Sequence, residues 1–224
     1  MQNNKIQILS TKMISDSLIS VAGLYDICIE QAAFIETEKI TTPALEKRIN
    51  ELYLQHVAVI FTSVNAVKAV NRLLPTKPSW KIFCIAPTTK KSVADVFGNE
   101  PIIGTAENAT HLADKIIADP SIKKLIFFCG DQRRNILHEK LKEKGIALEE
   151  LVVYKTVERP QIISKYYDAI LFFSPSAVKS FFSVNSIPDK TQVFAIGSTT
   201  ANEVTLFSNL PVIIAEYPLS LIHI

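Results

Sequence analysis

Short apolar stretches alternate with amphipathic stretches along most of the chain. Strands are predicted where apolar and β-branched residues run together, as they do at residues 56–61, 81–85 and 124–129. Helices are predicted where apolar positions recur every three or four residues, as Leu45, Ile49 and Leu52 do. Regular alternation of strands and helices is typical of parallel sheets covered by helices. The pattern therefore predicts an α/β protein.

The remaining strands and helices follow the same two patterns of apolar residues. The predicted strands cover residues 5–10, 25–34, 56–61, 81–85, 101–104, 124–129, 148–156, 169–173, 192–196 and 211–215. The predicted helices cover residues 14–22, 65–74, 108–118, 174–182 and 199–207, and three more begin at Thr42, after Pro87 and after residues 130–134. Thr42 and Ser174 each precede a proline, which is the usual arrangement of an N-cap and a first helical residue.

Two sequence patterns each occur twice. FTSVNAVKAV at 61–70 returns as FFSPSAVKSF at 172–181, and IAPTTKKSV at 85–93 returns as IGSTTANEV at 196–204. Both pairs are displaced by 111 residues (172 − 61 and 196 − 85). The equal displacement predicts two related half-molecules. The last segment has too few strands for a comparable sheet, so it needs residues 5–34 to complete it.

These observations predict two similar parallel-sheet α/β domains with a ligand cleft between them. One is discontinuous and comprises residues 1–34 and 162–224, and the other is continuous and comprises residues 38–150. Residues 35–37 and 151–161 would form a two-stranded linker. Tyr154 lies in the apolar run LVVYKT at 151–156, so we expect it to face the cleft.

Composition narrows the class of protein. The 224 residues are 48% hydrophobic and 21% charged, which are globular values. A net charge of +2 does not predict nucleic-acid binding, and no apolar run is long enough to predict a membrane span. The N-terminus does not have the pattern of a signal peptide. Three widely spaced cysteines argue against a disulfide framework and fit a reducing cytoplasm.

Turns rich in serine and threonine follow the carboxyl ends of predicted strands and precede helices. Ligands bind at this edge of open parallel sheets, and helix N-termini suit carboxylates or phosphates. No P-loop and no G-x-G-x-x-G occurs, which disfavours nucleotides. Serine and threonine cap helices in any protein, so a structural role is the alternative for each turn. The turns are Ser10-Thr11, Thr62-Ser63, Thr88-Thr89, Ser174–Ser176 and Thr199-Thr200.

Other candidate groups have ordinary structural explanations. Tyr154 could be a packing residue, and Asp131 is expected to have a turn or cap role rather than a catalytic one. Arg133 and Arg134 are expected to be solvated. The four histidines lack metal-ligand spacing. Cys84 and Cys129 lie in apolar strands and are expected to be inert.

A family resemblance rests on five segments in order across nearly the whole chain. FTSVNAV, LIFFCGDQRRNIL, ELVVYKTVERP, FFSPSAV and FAIGSTTANEV together resemble uroporphyrinogen-III synthases. The resemblance implies two α/β domains joined by a two-stranded linker and a cofactor-free cytoplasmic enzyme. It implies a hydro-lyase of tetrapyrrole (heme) biosynthesis that closes hydroxymethylbilane into uroporphyrinogen III, with loss of water and inversion of ring D. Nothing in the sequence requires more than a monomer.

The resemblance also implies site residues. Tyr154 would be the catalytic residue, as a general acid or hydrogen-bond donor to the departing hydroxyl oxygen. The substrate is a polycarboxylate, which hydroxyl groups, helix N-termini and a few cations could hold. The implied substrate-binding residues are Ser10, Thr11, Lys12, Thr62, Ser63, Thr88, Gly130, Arg134, Ser174, Ser176, Thr199 and Thr200.

One segment departs from the repeat, and one alternative function stays open. PIIGTAENATHLADKI at 101–116 corresponds to PVIIAEYPLSLIHI at 211–224, so the last helix is expected to be truncated or altered. The alternative function is a non-catalytic, two-lobed α/β module that binds an anionic small molecule.

Overall fold

The computed structural model describes residues 5–133 and 135–216. Arg134 and the expected altered last helix lie outside these described residues. The strands are β1 (Ile6–Ser10), β2 (Ile27–Gln31), β3 (Ile35–Lys39), β4 (Ala58–Phe61), β5 (Lys81–Ile85), β6 (Ile102–Ala106), β7 (Lys124–Gly130), β8 (Ala147–Glu158), β9 (Ala169–Phe172), β10 (Gln192–Ala195) and β11 (Val212–Ile214). The helices are α1 (Asp16–Gly23), α2 (Pro43–Tyr53), α3 (Val64–Asn71), α4 (Thr88–Phe97), α5 (Ala109–Ile117), α6 (Ile136–Glu143), α7 (Pro175–Phe182) and α8 (Ser198–Val204).

The chain divides into two compact units, and each has its own sheet. Unit 1 comprises the described residues up to Glu36 and from Val157 onward, and unit 2 comprises Thr37–Thr156. The sheet of unit 1 has the strand order β11-β10-β9-β1-β2. The other sheet has the order β3-β8-β7-β4-β5-β6. The strand pairs on both sides of β1, β4, β5, β7, β9 and β10 are parallel.

Unit 2 buries apolar side chains on both faces of its sheet. Val59 and Phe61 pack in a cluster with residues from α2, α3 and α4. Ile60, between them, packs in a second cluster with residues from α5 and α6. Alternate residues of a strand point to opposite faces, so continuous apolar strands need helices on both sides. The single tryptophan, Trp80, is buried in the first cluster, and its indole N–H donates to the Leu52 carbonyl.

Unit 1 has one core cluster among its described residues. Leu9 and Phe172 contribute from the sheet, and Val178 and Phe181 contribute from α7. On α1 no residue is buried, and on the outer strand β11 Ile213 is 46% exposed. The described part of unit 1 therefore buries a core mainly on the face covered by α7 and α8. None of the helices in the described residues is long and apolar enough to cross a membrane.

Three local features differ from the sequence analysis. The strand predicted over 25–34 is the shorter β2, because Asp26 has a positive φ of 56° and ends a turn before it. Helix α1 begins after Ser15, whose side chain accepts from the Leu18 N–H, so residues 10–12 do not begin a helix directly. The predicted linker strand at residues 35–37 is longer, because β3 continues to Lys39 and lies beside β8 at the edge of a six-stranded sheet.

Candidate active site

Tyr154 is held by an irregularity in the pairing of β7 with β8. Cys129 pairs with Val152, but Gly130 pairs with Tyr154, so Val153 is an extra residue in β8. Such a bulge re-aims the side chains that follow it. Val153 and Tyr154, although consecutive, both pack against the first core cluster of unit 2. The bulge therefore gives Tyr154 a direction that regular alternation would not give it.

Gly130 makes room for the phenol ring. A β-carbon built at Gly130 would lie 2.5 Å from Cζ and 2.8 Å from Oη of Tyr154. Real contacts of this kind are never so short, so any side chain at position 130 would displace the ring. Glycine is required here by the close approach of the tyrosine rather than by its backbone conformation.

The Tyr154 hydroxyl meets the N-terminus of α3. Ser63 is the N-cap of this helix, and its Oγ accepts a hydrogen bond from the Ala66 N–H at 3.2 Å. The Ser63 hydroxyl donates to Oη of Tyr154 at 3.0 Å. Burial raises the pKa of the Tyr154 phenol above its ordinary value, and the bond from Ser63 acts in the opposite direction. The phenol is therefore protonated near neutral pH and can act as a donor.

A cavity of about 360 Å³ opens in front of Tyr154. Its walls come from the carboxyl ends of β4, β5 and β7 and from the start of α5. This is the sheet edge where ligands bind in open α/β proteins. The lining residues are Thr62, Ile85, Glu107, Asn108, Ala109, Phe127, Cys129, Gly130, Gln132, Arg133, Leu137 and Tyr154.

Arg133 lies in the cavity wall and is ion-paired. Its Nη2 donates to a carboxylate oxygen of Glu150, and Nδ1 of His138 lies 3.7 Å from the other oxygen. The pair is mostly buried, with side-chain exposures of 29% for Arg133 and 16% for Glu150. The hydrogen bond from Arg133 lowers the pKa of Glu150, whereas burial acts in the opposite direction. The expectation that Arg133 is solvated is wrong, because a carboxylate from β8 faces it.

Asp131 has the turn role expected from the sequence. Its Oδ1 accepts from the Gln132 N–H and from the Thr156 N–H, both at 2.9 Å. The Asp131 N–H donates to the Tyr154 carbonyl at 3.1 Å. The bonds to Tyr154 and Thr156 join the turn after β7 to β8 directly after the Tyr154 side chain.

The turn after β1 in unit 1 is held by its own hydroxyl groups. Ser10 and Thr11 are buried, and their hydroxyls donate to the carbonyls of Lys12 at 2.6 Å and Leu171 at 2.8 Å. Lys12 is exposed, with Nζ 5.8 Å from the centre of the Phe173 ring. The structure thus gives Ser10 and Thr11 a role in the turn and leaves the Lys12 ammonium accessible.

The other turns of unit 1 begin α7 and α8. Ser174 caps α7, and its Oγ accepts from the Ala177 N–H at 3.2 Å. Ser176 lies in the first turn of the same helix and is half-buried. In the first turn of α8, Thr199 is exposed and Thr200 is buried. These turns follow β9 and β10, so they lie at the carboxyl edge of the sheet of unit 1.

Comparison with known proteins finds a family match over most of the chain. Residues 29–219 match the family model HEM4, described as Uroporphyrinogen-III synthase HemD. The chain belongs to the uroporphyrinogen-III synthase family. The resemblance drawn from the sequence is confirmed by this match.

One curated relative of the family is the uroporphyrinogen-III synthase of Saccharomyces cerevisiae, which is 28% identical over 181 residues. The aligned region covers 63% of this chain and 64% of the yeast protein, so it spans less than two thirds of that relative.

Two crystal structures of the family have a similar fold. The uroporphyrinogen-III synthetase of Helicobacter pylori gives a TM-score of 0.67 at 18% identity and covers 95% of this chain and 93% of its own. A mutant uroporphyrinogen III synthase of the extremely thermophilic bacterium Thermus thermophilus gives 0.65 at 14% identity and covers 96% and 95%. The predicted α/β fold with parallel sheets is confirmed.

Unit 2 brings together four of the site residues that the family resemblance implies. Thr62, Gly130 and Tyr154 line one cavity, and Ser63 bonds to the tyrosine. Thr88 is exposed at the first position of α4, which follows β5 at the same edge of the sheet. Their roles in binding and catalysis stay predictions, as do those of the turns in unit 1. Arg134 lies outside the described residues.

Several cavity residues were not singled out in the sequence. Asn108 caps α5, and its Oδ1 accepts from the His111 N–H at 2.9 Å. Its position after β6 matches that of the other capped turns, so the rule that found Ser63 could have found Asn108. Glu107 and Gln132 are exposed polar residues with no such signal.

The thiols of Cys84 and Cys129 are buried in unit 2. Burial raises the pKa of the Cys84 thiol to about 11 and that of Cys129 to about 12, so both are protonated at neutral pH. This agrees with the expectation that they are inert. Among the described residues, no group of three or more histidine, cysteine, aspartate or glutamate side chains could hold a metal ion.

Proposed function

We propose that this chain is a uroporphyrinogen-III synthase, a hydro-lyase that converts hydroxymethylbilane to uroporphyrinogen III. The observation that carries the proposal is the placement of Tyr154. Its protonated phenol lies in the wall of a cavity at the carboxyl edge of the sheet, and a serine hydroxyl already donates to it. Family membership gives the reaction, and the cavity provides a place for its first step.

The first step breaks the bond between carbon and oxygen at the hydroxymethyl group of the substrate. The lone pair of the pyrrole nitrogen moves toward the exocyclic carbon, and Oη of Tyr154 donates a proton to the departing oxygen, which leaves as water. The electrophilic carbon then bonds to the ring D carbon that already carries a methylene bridge, which gives a spiro intermediate. The old bond between that carbon and the bridge breaks, and the bridge bonds again to the free α-carbon of ring D, so the macrocycle closes with ring D inverted. One proton is lost from carbon at closure, so the overall change is loss of one water.

The phenol contributes only part of the rate. A phenol is a weak acid, and burial makes Tyr154 weaker still. Because the free substrate also closes spontaneously without inversion, the main task of the enzyme is to hold the conformer that leads to inversion. A cavity of about 360 Å³ is at the small end of ligand sites, so it holds one end of a linear tetrapyrrole rather than the whole molecule.

The substrate carboxylates need donors beyond this cavity. Hydroxyl groups, backbone N–H groups at helix N-termini and isolated cations are suited to carboxylates. Lys12 supports this part of the proposal most directly, because its ammonium is exposed. The residues proposed to bind substrate are Ser10, Thr11, Lys12, Thr62, Ser63, Thr88, Gly130, Arg134, Ser174, Ser176, Thr199 and Thr200.

The proposal also covers oligomeric state, location, cofactor, partners and domain boundaries. We propose a monomer that works in the cytoplasm without a cofactor and binds neither nucleic acid nor membrane. The proposed domain boundaries are 1–34 with 162–224, and 38–150, with linker strips at 35–37 and 151–161. The weak net charge and the three cysteines support the absence of nucleic-acid binding and the cytoplasmic location.

The test is the isomer that the protein makes. We expect incubation with freshly prepared hydroxymethylbilane, followed by oxidation and chromatography, to give uroporphyrin III in excess of the type I isomer. Buffer alone, which gives type I, is the control. Type I as the sole product at every protein concentration would reject the enzyme and favour a binding module for an anionic small molecule.

The role of Tyr154 has its own test. We expect Tyr154→Phe to slow formation of the type III isomer by about 10- to 100-fold, because the proton donor is lost and the ring is kept. Initial rates, with circular dichroism to check the fold, measure the effect. A rate equal to that of the wild type would remove the phenol from the mechanism.

A further inference from the structure

A chain of two hydrogen bonds ends at the Tyr154 phenol. The Ala66 N–H at the start of α3 donates to Oγ of Ser63 at 3.2 Å, and the Ser63 hydroxyl donates to Oη of Tyr154 at 3.0 Å. Within the residues that the structure describes, Oη of Tyr154 has no other protein hydrogen bond. Each oxygen in the chain thus accepts from the group before it.

The direction of this chain determines where the phenolic proton points. A serine hydroxyl has one proton, and its oxygen can also accept. The backbone N–H of Ala66 can only donate, so one lone pair of Oγ of Ser63 accepts there, while the Ser63 proton points toward Oη of Tyr154. With a lone pair of Oη occupied in this way, the phenolic proton is directed away from Ser63, and the open space beside Tyr154 is the cavity.

The internal repeat shows that this arrangement is not needed for capping. Ser174 lies 111 residues after Ser63 (174 − 63) and caps α7 through the Ala177 N–H at the same 3.2 Å. In the described part of the chain, Ser174 has no hydrogen bond to a tyrosine. The cap and the bond to the phenol are therefore separate functions of Ser63.

We propose that Ser63 is a positioning residue, which orients the Tyr154 hydroxyl so that its proton points into the cavity and which stabilises the phenolate left after proton transfer. The proposal rests on the proposed function, because it assigns Ser63 a part in the same first step. When Oη gives its proton to the departing oxygen, the Ser63 hydroxyl and the positive end of α3 face the negative charge. This role differs from binding a substrate carboxylate, which was expected of Ser63 from the sequence.

The test is a cycle of Ser63→Gly, Tyr154→Phe and the double variant. Glycine is nearly as good as serine at an N-cap, so Ser63→Gly removes the hydroxyl and spares the helix. We expect Ser63→Gly to lower kcat for the type III product about tenfold with little change in KM, the size of one lost hydrogen bond. In the Tyr154→Phe background, Ser63→Gly should have no further effect on kcat. Ser63→Thr, which keeps a hydroxyl group, should have most of the wild-type kcat.

Thr42→Gly is the matched control. Thr42 caps α2 through the Leu45 N–H at 3.2 Å and lies outside the cavity and the proposed binding residues. We expect it to leave kcat and KM unchanged. If Ser63→Gly reduces kcat by the same factor with and without the phenol, Ser63 acts on the substrate directly and the inference is wrong.

A second readout does not depend on turnover. The ¹³Cζ resonance of Tyr154, assigned by its absence in Tyr154→Phe, should shift in Ser63→Gly and stay in place in Thr42→Gly. An unchanged resonance in Ser63→Gly would overturn the positioning role even if the protein makes no type III isomer. Failure of the proposed function alone would instead show as type I product with the shift present.

Discussion

At the scale of single residues, the site depends on a glycine that the tyrosine ring almost touches. We expect Gly130→Ala to lower the rate of type III formation at least as much as Tyr154→Phe, because the added β-carbon would lie 2.5 Å from Cζ of Tyr154 and must displace the ring. Displacement would also break the bond from Ser63. A cost of about 1–3 kcal/mol in unfolding free energy should accompany the loss, as for other overpacked sites.

Gly23→Ala provides the comparison for Gly130. Gly23 lies at the end of α1, and a β-carbon there would meet nothing within 4 Å. Initial rates and urea unfolding of both variants measure the effects, and Gly23→Ala should leave the rate unchanged. A fully active Gly130→Ala protein would show that the ring can move without harm, which would contradict the fixed placement of Tyr154.

The sequence predicted some of the residues of the candidate site but not the contacts between them. Ser63 and Thr62 were identified because they follow a strand at one edge of the sheet, and Tyr154 because it lies in the apolar run at 151–156 and in a segment that carries the family resemblance. The bond between Ser63 and Tyr154 was not, because it depends on a bulge at Val153 that no residue type marks. Arg133 was expected to be solvated for a similar reason. Its partner Glu150 is 17 positions away in sequence and meets it only through the pairing of β7 with β8.

At the scale of secondary-structure elements, the ion pair of Arg133 and Glu150 fastens β8 to the segment after β7. We expect Glu150→Gln to cost about 1–2 kcal/mol of unfolding free energy at pH 7, because it leaves a half-buried guanidinium without its carboxylate. The folded-state pKa of Glu150 is lowered. Its stabilisation is therefore complete above the unfolded value near 4.5 and is lost as pH falls through the folded value.

Urea unfolding of wild type and Glu150→Gln across acidic pH measures this dependence. The difference between the two proteins should be present at pH 7 and should shrink below about pH 4. Glu143→Gln is the control, since Glu143 is exposed at the end of α6 and has no ion pair among the described residues. A difference that stays constant from pH 7 to pH 3 would show that the charge of Glu150 is not what stabilises β8.

Strands with a clear apolar run and helices with a capping residue were predictable from the sequence. β5 has the bounds that its apolar run predicts, and Thr42, Ser63 and Ser174 all cap the helices that follow them. The strand at residues 35–37 was expected only as part of the two-stranded linker, because the sequence of β3, IETEK, has no apolar run. Such an edge strand is formed by pairing with β8, which is a tertiary effect that local sequence does not encode.

At the scale of the whole molecule, the internal repeat explains why one chain forms two units with separate cores. Each apolar cluster in the described residues lies within one unit. Unit 2 has clusters on both faces of its sheet, whereas the described residues of unit 1 form one cluster and include a helix, α1, with no buried residue. Because stability grows with the apolar area buried, we expect unit 1 to be the less stable of the two.

This difference can be measured because the chain has one tryptophan. Trp80 is buried in unit 2, so its fluorescence reports on that unit, whereas far-ultraviolet circular dichroism reports on both. We expect the dichroism to begin to change at a lower urea concentration than the fluorescence, as separate cores allow.

Phe172→Ala tests whether the early change in dichroism comes from unit 1. The substitution should lower the unfolding free energy of unit 1 by about 3–5 kcal/mol, because Phe172 is 1% exposed and packs edge-on against Phe181. The early change should therefore begin at a lower urea concentration. The midpoint of Trp80 fluorescence should stay in place. If both signals move together in Phe172→Ala, the two units unfold as one, and the separate cores do not set the stability of the molecule.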